Sequence, residues 1–242
     1  MGAVHGGGAR PGGIRRAAVR VWSAVVVICA VGYLTDSHHD SDSYSEAGLP
    51  SHPTHYADGT YRFMRTQPLD PTQPVGYNPC RFIEVEINYA DATPTIAADV
   101  ERIARDMLQV SGLHLRYVGA SQRTHLAPPS GRILVSFTRA SNDTSMNDAI
   151  AGRGGSSSYT SGYPDQTLYY VGGTVTLNAD TYNRSTHDQQ LLILAHEFGH
   201  AVGLAHAPGA ELMNADAWGY RLHHWAHGDL TGLARLGELP CR

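Results

Sequence analysis

The chain predicts one α/β sandwich-like domain on a mixed β-sheet, preceded by a leader outside the fold. Two observations carry this. Strand-like segments lie at 83–89, 113–117, 133–137, 168–171 and 174–177, and two helical segments interrupt or follow them, at about 97–111 and from about 187. The 242 residues suffice for one well-filled domain with an extended leader.

In chain order, residues 1–20 are Gly-rich and carry Arg10, Arg15, Arg16 and Arg20, with no acid before Asp36. A largely apolar run, Val21 to Leu34, follows. A basic flank before such a run is the layout of a secretory signal, and the run is short for a spanning helix of about 20 residues. No small-x-small cleavage site follows it, so an uncleaved signal anchor is the alternative. Either arrangement places the rest of the chain outside the cytoplasm. Residues 35–77, rich in Asp, Ser, His and Pro, read as a polar linker.

Ile83, Val85, Ile87 and Tyr89 alternate with polar residues, as in a half-buried strand. Val100, Ile103, Ala104, Met107 and Leu108 recur at helical spacing. Leu113, Leu115 and Tyr117 alternate again, and Ile133–Phe137 reads as a further strand. The Gly/Ser-rich stretch 152–162 reads as too polar for the core. Leu168–Val171 and Thr174–Leu177 read as strands interrupted by Gly172-Gly173.

Composition excludes some functions. A net charge of -4 leaves no basic footprint for nucleic acid. Every one of the 18 basic residues is Arg, a bias that implies no patch. Of the 14 His, those at 38, 39, 223, 224 and 227 form loose clusters that read as solvated loop residues, with metal binding as the alternative. Cys29 lies in the leader. Cys80 and Cys241 bracket the domain, which in an exported chain points to a single disulfide; two separate buried thiols are the alternative.

The chemistry lies in the last long helix. Thr186-His187-Asp188-Gln189 has the form of a capping box, so the helix starts near 187. Leu191, Leu192, Leu194, Ala195, Phe198 and Val202 make it broadly apolar. His196 and His200 stand one turn apart on one face, about 40° from each other, and can reach one ion. Glu197 projects about 100° round, where the base for a metal-bound water belongs. Gly203 can take positive φ, end the helix and turn the chain so that His206 becomes a third ligand. Three protein ligands leave a fourth position for water, the pattern of catalytic zinc. Buried without a metal, this group of three His and a Glu would be costly.

The segment His-Glu-Phe-Gly-His-Ala-Val-Gly-Leu-Ala-His resembles the metzincin metallopeptidase signature, most closely its matrixin branch. Glu211-Leu212-Met213-Asn214 looks like the Met-turn of that family. Asn78-Pro79-Cys80-Arg81 and Asp229-Leu230-Thr231-Gly232-Leu233 are also similar, so the likeness spans 78–242. It implies an α+β zincin-like catalytic domain: a twisted mixed sheet, two long helices, and a small C-terminal subdomain with a Met-turn and a short helix. It also implies a substrate groove, with the Gly/Ser stretch and Leu168–Val171 near its rim and a peptide adding a strand to an exposed edge. The chain departs from the family in having no Cys-containing latency motif in the leader. It has Ala215 where some members carry a metal-binding Tyr.

The expected activity is therefore zinc-dependent hydrolysis of internal peptide bonds. His196, His200 and His206 hold one Zn2+, Glu197 is the general base, and Met213 and Gly203 give structural support. Tyr220, His223 and His224 are candidate oxyanion donors, with a surface loop as the plainer reading. Asp180 and Asp188 could contribute to an otherwise unassigned calcium or second zinc site. The expected partner is a protein or peptide substrate, with no nucleic acid, membrane contact only through the leader, and a monomeric state. A zinc-binding module without turnover and a hydrolase of cell-wall peptides are the alternatives; the intact Glu197 argues against the first.

Overall fold

The computed structural model describes residues 59–128, 131–147, 149–160, 167–217, 222 and 224–241. The leader, most of the expected linker, Tyr220 and His223 lie outside these residues.

Five strands form one mixed sheet: β2 (Ile83–Ile87), β3 (Leu115–Ala120), β4 (Arg132–Thr138), β5 (Gly152–Thr160) and β6 (Leu168–Asn178), in the order β3-β2-β4-β6-β5. Neighbours run parallel except β5, which is antiparallel to β6. Two long helices, α1 (Ile96–Ser111) and α3 (His187–Val202), touch each other and the sheet. A short helix, α2 (Ala179–Tyr182), continues directly from β6. A two-stranded sheet pairs β1 (Arg62–Phe63) with β7 (Leu204–Ala205), and α4 (His227–Gly237) closes against α1. The result is a mixed α/β arrangement.

The apolar stripe of α1 goes where its period puts it. Ile96, Val100, Ile103, Met107 and Val110 are buried with Ile83, Val85, Ile133, Val135 and Val175 of the strands. Leu108 departs from the expected stripe and is 43% exposed. The helix ends at Gly112, whose φ is 74°.

Three expectations need correcting. The linker does not run to residue 77: Arg62–Phe63 pairs with Ala205–Leu204, and Val75 and Tyr77 are buried in the core. Gln67 Nε2 also donates to the Leu168 carbonyl at 2.9 Å and its Oε1 accepts from the Leu168 N–H at 2.8 Å, standing in for a neighbouring strand. A few apolar anchors and one amide fix a segment whose composition is polar.

Gly172-Gly173 does not interrupt β6, because ladders on both sides hold the backbone that the side chains do not. The Gly/Ser-rich stretch is β5, the terminal strand of the sheet, and β6 lies inside it. Its glycines answer to α3. A Cβ at Gly152 would lie 2.8 Å from Glu197 Cγ, and one at Gly154 would overlap the Glu197 carbonyl. Strand and helix approach this closely because no side chain stands between them.

Cys80 and Cys241 are disulfide-bonded, with Cα atoms 5.5 Å apart and a sequence separation of 161. Closing so long a loop stabilises by about 4–5 kcal/mol on a chain-entropy basis. Peptide mapping without reductant is expected to recover the linked pair, and Cys80→Ser to lower the midpoint of urea unfolding. Two freely alkylatable thiols would contradict the bond.

Candidate metal centre

The site is assembled from both ends of α3 and the chain that follows it. At the start, the Thr186 hydroxyl accepts from the Gln189 N–H and the Gln189 side chain accepts from the Thr186 N–H, a complete capping box. At the end, Gly203 takes φ 130°, and its N–H reaches the Gly199 and His200 carbonyls. The reversed chain runs through β7, where Leu204 pairs with Phe63, and delivers His206 back towards α3.

The three imidazoles converge. His206 Nε2 lies 3.3 Å from His196 Nε2 and 3.1 Å from His200 Nε2. Each of the other ring nitrogens on α3 donates to a carbonyl: His196 Nδ1 to Leu212 at 2.6 Å and His200 Nδ1 to Leu204 at 2.8 Å. These bonds fix the tautomers and turn both Nε2 lone pairs inward. Burial drives the pKa of His196 down to about 4 and that of His200 well below the ordinary value; His206 is also lowered by burial. Neutral imidazoles with facing lone pairs repel unless a cation lies between them, so the donor set fits a metal. Among the described residues, these three can hold a metal ion.

Glu197 is 1% exposed and sits against β5. Burial pushes its pKa up to about 8, while the Gly154 N–H and the charge of Arg153 pull it down. Its Oε2 has no hydrogen-bond partner. A buried, unpartnered carboxylate oxygen beside a metal-ready triad is where a polarised water would be held.

Met213 is buried against α3, its Sδ filling the space a β-carbon on Gly199 would need. Two carboxylates lacking a role in the sequence reading hold this turn. Asp229 accepts from the Leu212, Met213 and Ala226 N–H groups at 2.6, 3.1 and 2.9 Å. Glu211 accepts from Thr60, Gly228 and Asp229 at 3.1, 2.9 and 3.2 Å. Both residues stand inside motifs already singled out, but only the tertiary contacts reveal their partners.

The remaining candidates disperse. Asp180 is taken by Arg139 at 2.5 Å, which also pairs with Asp91 at 2.8 Å, and neither Asp180 nor Asp188 joins a three-ligand cluster among the described residues. A guanidinium takes the place of a cation there. His224 is exposed, with Nδ1 against the Trp225 carbonyl.

No protein-family model and no curated protein sequence matches the chain. Among solved structures, myroilysin is similar at 18% identity with a TM-score of 0.28. The match covers 55% of this chain and 52% of that one, so the chain spans about half the length of myroilysin.

Proposed function

We propose that the protein is a zinc-dependent endopeptidase with a metzincin, matrixin-like catalytic domain over about residues 60–242, acting outside the cytoplasm. The observation that carries this reading is the convergence of three inward-facing Nε2 atoms beside the buried, unpartnered Glu197 Oε2. The intramolecular disulfide is consistent with an oxidising compartment. No helix among the described residues is long and apolar enough to cross a membrane.

His196, His200 and His206 would hold the ion. Zinc, when bound, supplies Lewis acidity to the attacking water and to the scissile carbonyl. Glu197 takes a proton from the water as its oxygen bonds to the carbonyl carbon, then passes it to the amide nitrogen as the C–N bond breaks. The ionised form this requires is favoured by a dication nearby and by the Gly154 N–H. The peptide would lie as an added strand along the edge of β5 that no other described strand pairs. Met213 keeps the floor of the site in place and takes no part in bond changes.

The test joins metal content to cleavage. Wild type is expected to carry one zinc and to cut unfolded casein. His200→Ala is expected to lose metal and activity together, since two ligands hold zinc poorly. Zinc without cleavage would favour a binding module, and cleavage of cell-wall peptides alone would favour the other hydrolase.

A further inference from the structure

We infer that Arg153 gives this site a preference for substrates with an acidic side chain at the position that pairs across from it. The inference rests on the endopeptidase reading and on strand addition to β5. Because Gly152 and Gly154 face α3, Arg153 between them projects from the opposite face of the strand. β5 pairs with β6 along one edge and, among the described residues, ends the sheet on the other. A peptide added to that free edge places one side chain on the Arg153 face, with the two Cβ atoms about 4.5–5.5 Å apart.

The guanidinium is held ready and its charge is not neutralised. Nη1 donates to Ser145 Oγ at 2.6 Å and Nη2 to the Ser145 carbonyl at 2.5 Å, both neutral acceptors. Nε has no partner. The other arginines of this sheet differ: Arg116 and Arg132 each pair with Glu84 at 2.9 Å, and Arg132 also with Glu86 at 3.1 Å. Asp143 feels the charge of Arg153, but Ser145 and His125 occupy its oxygens and it forms no ion pair with Arg153. The charge of Arg153 also pulls the pKa of Glu197 down. A braced, forked donor with no carboxylate paired to it among the described residues suits a carboxylate brought by the substrate.

Full-length protein and paired peptides differing by Glu or Gln at each position around the cleaved bond provide the test. At one position wild type is expected to favour Glu by about fivefold in kcat/KM. Arg153→Gln is expected to bring that ratio to one, Arg153→Glu to invert it, and Arg153→Lys to retain part of it. Zinc content and thermal midpoint report whether each variant is folded. Should Arg153→Gln not fold, the wild-type ratio is still expected to shrink as salt screens the pair. Equal rates for Glu and Gln peptides in wild type, or a preference that survives Arg153→Gln, would overturn the inference while leaving the endopeptidase reading intact. A wild type that cuts no peptide at all would overturn both.

Discussion

Glu197→Ala is expected to slow peptide hydrolysis by about 10²–10⁴-fold while leaving one zinc bound. The two effects separate because different atoms serve them. Coordination would belong to the Nε2 atoms of His196, His200 and His206, whose rings are oriented by carbonyls and by the turn at Gly203, none of which involves the Glu197 side chain. Proton transfer belongs to a carboxylate whose Oε2 has no partner within the protein. Glu197→Gln, which keeps the volume and removes the basicity, is expected to lose activity as fully as Ala. Neither variant should lower the thermal midpoint of the metal-free protein much, because the change removes a buried carboxylate that is only partly satisfied. Elemental analysis, casein cleavage and thermal unfolding measure the three quantities. Full activity in Glu197→Ala would exclude the mechanism, and loss of zinc in it would show that the carboxylate is a ligand.

The histidine cluster was legible in the sequence because a helix converts spacing directly into geometry. His196 and His200 at i and i+4 must share a face, and Thr186 with Gln189 marks where that helix begins. Gly203 was legible for a related reason: a glycine after an apolar helix is the residue that can reverse the chain. The terminal strand was not. Strand patterns are read from side chains, and Gly152 and Gly154 matter through the side chains they lack, since α3 takes that space. Residues 59–77 were misplaced because their composition is polar while their attachment depends on Phe63, Val75, Tyr77 and the amide of Gln67. Arg153 likewise gains its significance only from the strand geometry, which turns it away from α3 on the terminal strand of the sheet.

Asp229→Ala is expected to cost about 3–5 kcal/mol of stability, although Asp229 touches neither the metal ligands nor a substrate. Its carboxylate is completely buried and accepts three backbone N–H groups, two from the turn at Leu212–Met213 and one from Ala226 at the start of α4. Burial pushes its pKa up to about 6, and the N–H groups of Ala226, Leu212 and Met213 pull it the other way, so it is ionised at neutral pH. Alanine would leave three buried donors unpaired, each costing about 1–3 kcal/mol before any relaxation. For a domain of this size the thermal midpoint should fall by roughly 10 °C. The loss should also reach the metal. The Leu212 carbonyl that accepts from His196 Nδ1 belongs to the same turn, and loosening such a partner typically weakens metal binding about 10–100-fold. Asp229→Asn keeps one acceptor oxygen but turns an NH2 group towards a backbone N–H, so its effects should lie between those of wild type and Ala. Thermal unfolding with and without zinc, together with competition against a chelator, would measure both. If Asp229→Ala matched wild type in midpoint and in zinc affinity, the turn would have to be held by Glu211 and the packing of Met213 on Gly199 alone.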